Sequence, residues 1–179
     1  LWSATSAYYH ALTGETDKIP PVFAEHQLST IHFLAPGKPM MEMIENQVYL
    51  AQGAYTKVIG RSEGQLAVCE AMHYALVALH IRIQTAAAYE MLGKPEEAHA
   101  WLSRALSDAA PDGFVMPFVE NYDRLKPILA REIRSDLIVK IIELGEAAKA
   151  RKAGNTRPGS FDALTQREFE IVRLMAQRL

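Results

Sequence analysis

Apolar residues recur along the chain at three- and four-residue spacing, in stretches separated by short breaks rich in Gly, Pro or small polar residues. That spacing gathers apolar side chains on one face of a helix. It predicts helices near residues 1–13, 19–34, 39–53, 54–71, 74–92, 95–109, 113–130 and 135–152, so the fold class is all-α. Three of the stretches end alike: Ala-Leu-Thr-Gly14, Leu-Ala-Gln-Gly53 and Glu-Met-Leu-Gly93 lie 39 and 40 residues apart. Glycine tolerates the left-handed backbone that closes a helix, so a unit of this length with a Gly inside it reads as a helix pair, stacked on its neighbours. Tyr49 and Tyr89 precede their glycines by four residues, and His10 takes that place in the first unit. Pro36, Gly37 and Pro39 separate the first two units. The turn expected between Met72 and Ala75 has neither Gly nor Pro, and a break at Gly60 or Gly64 competes with it.

The best-formed unit, residues 85–110, resembles a tetratricopeptide repeat. Tyr89, Gly93, Ala98, Leu102 and Ala105 fall on that motif's aromatic, turn, small, bulky and small positions, and Ala86 fills a further small one. Pro95 stands in the first turn of the second helix, where a missing amide costs nothing. Earlier units match less well, with Val58 and Ile19 in place of the small residue. The resemblance implies a right-handed α-α superhelix of stacked helix pairs. Its inner face would carry Met40, Met43 and Gln47 in one unit and His80, Ile83, Ala87 and Glu90 in the next. Flexible apolar side chains with a few polar ones suit an effector or a partner helix, so Met40, Met43, Gln47, His80, Ile83 and Glu90 are candidate groove residues. Helix-helix packing is the plainer role for any one of the methionines.

Residues 164–179 resemble the first helix of the LuxR-type helix-turn-helix. Leu164, Thr165, Arg167, Glu168, Glu170, Leu174 and Ala176 match that opening, Ile171 and Val172 are conservative substitutes, and Arg178 stands where the family usually has Gly. Thr165 and Glu168 also form a capping box, which starts a helix whatever its family. Residues 105–118 add the Ala-x-Pro-x-Gly, aromatic, Phe pattern with which the helical arm of large, MalT-like LuxR-type regulators ends. The resemblance implies an arm over residues 1–152, a linker over 153–163 and the start of a helix-turn-helix domain over 164–179. DNA would be read by the part of that domain beyond Leu179, and the arm would sense an effector or bind a partner. Val172, Met175 and Leu179, on an apolar stripe with Leu164 and Ile171, would pack on the arm or on a second copy of the chain. An ordinary amphipathic terminal helix is the bland alternative, and a tetratricopeptide-like interaction scaffold unrelated to transcription is the competing function.

Charge adds a gradient: residues 1–130 hold 9 Lys/Arg against 14 Asp/Glu, and residues 131–179 hold 10 against 7. An acidic body with a basic tail fits phosphate contacts confined to the C-terminal side. The linker cations Arg151, Lys152 and Arg157 read first as a solvated charge run. With 179 residues, 49% of them hydrophobic, the chain can bury a core. No apolar run nears the roughly twenty residues that span a bilayer, and the start, Leu1, lacks a basic-then-apolar leader, which with the lone Cys69 points to the cytoplasm. A start at Leu1 and an end within a helix suggest a piece of a longer protein.

Catalytic constellations are thin. Cys69 and His73 are four apart, and His73 and His80 would share a face of one continuous helix, but neither pair is completed into a metal site or a nucleophile-base array. Glu96 and Glu97 sit in a first helical turn, where the positive end of the helix dipole favours them. Gly37-Lys38-Pro39 and Gly93-Lys94-Pro95 lack the Ser/Thr of a phosphate loop. The reading is a non-enzymatic protein with no cofactor in this stretch.

Overall fold

The computed structural model describes residues 2–30 and 35–154. Their regular structure is helical throughout: α1 (Trp2–Thr13), α2 (Pro21–Ala24), α3 (Lys38–Ala51), α4 (Tyr55–Ala71), α5 (Ala75–Met91), α6 (Pro95–Ala109), α7 (Met116–Glu120), α8 (Tyr122–Leu129) and α9 (Asp136–Gly154), with short 3₁₀ turns at Thr16–Lys18, Gln27–Thr30 and Ala35–Gly37. Residues 155–179, with most of the expected linker and all of the regulator-like helix, lie outside the described residues. So do residues 31–34. Leu1–Glu146 form one compact unit, and a second begins at Ala147, of which the end of α9 is described. Among the described residues, no helix is long and apolar enough to cross a membrane.

One turn is used repeatedly. Gly53, His73, Gly93 and Gly113, at 20-residue intervals, take φ of 76, 56, 69 and 65°. In each turn the next residue's amide donates to the carbonyl five positions back: Ala54 to Tyr49 (2.8 Å), Tyr74 to Cys69 (2.9 Å), Lys94 to Tyr89 (3.0 Å) and Phe114 to Ala109 (3.2 Å). This closure satisfies a carbonyl left over at the helix end and turns the chain back. Gly14, at φ 77°, closes α1 the same way through Glu15 and His10. The break between the fourth and fifth helices therefore falls at His73, and α4 continues through Gly60 and Gly64. His73 and His80 consequently do not share one helix.

Two expected helices are broken. Of the helix expected over 19–34, the described residues, 19–30, form only α2 and a 3₁₀ turn, because Ile19 and Pro20 are extended before Pro21 and His26 takes φ 55°. Tertiary contacts hold that turn: the His26 ring stacks on Tyr49 at 3.8 Å, His26 Nε2 lies 2.8 Å from Gln52 Oε1, and Gln52 Nε2 donates to the Ala24 carbonyl at 3.0 Å. The helix expected over 113–130 is divided into α7 and α8 at Asn121, whose side-chain amide donates to the Pro117 carbonyl at 3.3 Å. A short amide side chain that bonds its own backbone competes with the helical ladder.

The helix α5 is central, packed by α3, α4, α6 and α8. Residues 83–88 on it are all buried, so its packing extends around the helix rather than along one stripe. Ala98, Ala105 and Ala109 of α6, all fully buried, face this helix in one core with Ala86 and Ala87. Small side chains on both helices permit close approach, while Leu102 and Ile83 supply apolar area worth about 1.5–3 kcal/mol each on full burial. At the other end of this core, Gly145 of α9 lies against the Tyr122 ring so closely that a Cβ would overlap its Cγ and Cδ2.

Candidate ligand site

The expected groove residues do not form one open surface. Met40 is exposed, but Met43 and Ile83 belong to the core and Gln47 is fully buried. Glu90 is occupied by an ion pair with Arg131 at 2.8 Å. Gln47 is taken up by polar groups outside the expected inner positions: Gln84 Nε2 donates to the Met43 carbonyl (3.0 Å) and to Gln47 Oε1 (3.1 Å), and Gln47 Nε2 donates to Asn121 Oδ1 (3.1 Å). This relay ties α5 to α3 and α3 to the junction of α7 and α8.

His80 belongs to a second polar cluster, with Tyr8 of α1 and Glu120 of α7. The Tyr8 hydroxyl donates to Glu120 Oε2 at 2.6 Å, and His80 Nδ1 lies 3.4 Å from the same hydroxyl. Since the phenol has one proton and gives it to the carboxylate, the Nδ1 of His80 must be the donor in the second contact. Burial, then the Glu120 carboxylate, hold the Tyr8 phenol well above its ordinary range. Burial pushes the His80 imidazole below 6.5, with Glu120 opposing. His80 is therefore neutral near pH 7, in a cluster that joins helices.

Among the described residues, a cavity of about 440 Å³ lies elsewhere, lined by the end of α4 (Cys69, Glu70), the turn and first half of α5 (His73, Tyr74, Ala75, Leu76, Ala78, Leu79, Arg82) and the end of α6 with its following turn (Asp108, Asp112, Phe114). That volume is within the range of small-molecule pockets. The turns at His73 and Gly113 are 40 residues apart, two reversals of the chain, which brings equivalent positions of successive units to one side. Cys69, Ala78 and Leu79 are buried and give the cavity an apolar floor. Arg82 is held by Asp108 at 2.7 Å and lies 3.7 Å from Glu70.

Cys69 and His73 thus line the same space without forming a reactive pair. Burial first, then Glu42 and Glu70, push the Cys69 thiol up, with Arg82 opposing. A protonated, buried thiol is a poor nucleophile and a poor metal ligand. Among the described residues, no group of three or more His, Cys, Asp or Glu side chains is placed to hold a metal ion. Sequence reasoning passed over Arg82, Asp108, Asp112 and Phe114, although the 40-residue repeat contained the signal: Tyr74 and Phe114 are equivalent turn residues, as are Met72 and Asp112. No family model, curated protein or solved structure matches the chain.

Proposed function

We propose that the chain is part of a DNA-binding transcription regulator of the LuxR type. In this reading residues 1–152 are a tetratricopeptide-like arm, wound as a right-handed α-α superhelix, residues 153–163 a linker, and residues 164–179 the first helix of the helix-turn-helix domain. The observation that carries the reading is the run from Leu164 to Leu179, with its capping pair Thr165 and Glu168. The 20-residue interval between chain reversals and the small residues Ala98 and Ala105 support a tetratricopeptide-like arm. The arm works as a cytoplasmic sensor and catalyses nothing itself. A ligand that binds one arrangement of the helix pairs better than another shifts the placement of the DNA-binding domain across the linker; equal affinity for both would shift nothing.

The test is selection of DNA from a random pool by the intact protein, repeated with residues 153–179 deleted. Sequence-selective enrichment is expected from the first and none from the second. Equal enrichment by both would place DNA recognition elsewhere and end this assignment.

A further inference from the structure

The cavity between the α4/α5 turn and the end of α6 has a composition that selects its ligand. Its polar rim carries three carboxylates, Glu70, Asp108 and Asp112, against one guanidinium, Arg82. Arg82 is already paired to Asp108 and close to Glu70. Asp112, by contrast, is exposed to solvent and makes no hydrogen bond or ion pair with any described residue, so a ligand has only water to displace from its carboxylate. Two helices, α4 and α6, bring their C-terminal ends to this cavity and only α5 brings an N-terminal end, so the backbone adds net negative partial charge. Tyr74 and Phe114 supply aromatic surface beside these charges, over an apolar floor of Ala78 and Leu79.

An excess of negative charge, a carboxylate without a partner and aromatic walls over an apolar floor suit an organic cation with an apolar body. We propose that this cavity binds a small amine, with its ammonium on Asp112 and its apolar body between Phe114, Tyr74 and the floor. The inference deepens the sensor reading by naming the effector's chemistry, and rests on it only for the consequence of binding. An anion of the same shape would meet three carboxylates and find Arg82 occupied, so the site discriminates by charge rather than by size.

The experiment is calorimetric titration of the full chain with phenethylammonium, with hydrocinnamate as its anionic counterpart and phenethyl alcohol as the neutral one. Saturable binding of the amine and none of the carboxylate is expected. Asp112→Asn should weaken the amine by about tenfold, the worth of one charge-assisted hydrogen bond. Ala75→Trp, at an exposed lining position, should block the mouth and abolish binding while leaving the helical signal and the unfolding midpoint unchanged. The proposal is overturned if hydrocinnamate binds as well as the amine, if no amine saturates a folded protein, if Asp112→Asn binds undiminished, or if only a lysine-bearing peptide is captured. Amine binding that leaves DNA affinity unchanged would sink the sensor reading and leave the site standing. A cavity that binds no amine, in a protein whose DNA selection depends on residues 153–179, would sink the site alone.

Discussion

His73 takes the left-handed conformation, at φ 56°, that glycine supplies at the equivalent turns of Gly53, Gly93 and Gly113. For an L-residue that conformation costs roughly 1–2 kcal/mol, which is partly returned because glycine also makes the unfolded chain more flexible. His73→Gly is therefore expected to stabilise the protein by about 0.5–1 kcal/mol, read as a raised urea midpoint at unchanged slope. A lowered midpoint would mean that the imidazole, on the wall of the cavity, does something for the fold that its exposed position does not show. The same residue explains why the 20-residue period was hidden from the sequence. With His at one turn, only the glycines at 14, 53 and 93 stood out, and they report the 40-residue unit rather than the single helix. The left-handed turn at His26 was equally silent, since its cause is stacking on Tyr49 and hydrogen bonding to Gln52, 23 and 26 residues away in the chain.

Helix boundaries followed from local pattern wherever a turn was closed by its own backbone, as at Gly53 and Gly93, and failed where distant side chains decided. The relay from Gln84 through Gln47 to Asn121 is such a case: periodicity marked Gln47 as an inner position, but only the packed chain shows that Asn121 and Gln84 take up its hydrogen-bonding capacity. Charge and aromatic content at the cavity were present in the sequence, yet Asp112 and Phe114 become neighbours of Tyr74 only through the stacking of one helix pair on the next. The helices themselves offer a comparison of two glycines. A methyl added at Gly64, exposed within α4, would meet no atom within 4 Å beyond its own stretch of helix, whereas Gly145 of α9 abuts the Tyr122 ring. Gly64→Ala should stabilise by up to about 1 kcal/mol through helix propensity. Gly145→Ala should cost about 1–3 kcal/mol, because the added methyl must displace an aromatic ring held by Glu146. Chemical denaturation of the two variants checks the pair, and the same sign for both would refute the close approach of α9 to Tyr122.

At the scale of the whole compact unit, the cluster of Tyr8, His80 and Glu120 joins residues 112 positions apart in the chain, so its electrostatics report on assembly of α1, α5 and α7 together. Burial lowers the His80 imidazole below its ordinary 6.5. The folded state thus binds a proton less readily than the unfolded chain at this site, and the fold must lose stability as pH drops. The contribution is intact above 6.5 and is lost as pH descends through the lowered folded value. Protonation would also place a cation beside Glu120 Oε2, 3.9 Å from Nδ1, which softens the loss but does not reverse it, because burial is the larger cause. His80→Gln keeps a donor near the Tyr8 hydroxyl and removes the titration. Unfolding free energies measured between about pH 7.5 and about pH 5 should therefore decline less steeply in the variant than in the parent chain, the difference isolating His80 from the other histidines and carboxylates. Parallel declines would show that His80 titrates alike in both states, and would refute a shift imposed by its burial between α1 and α7.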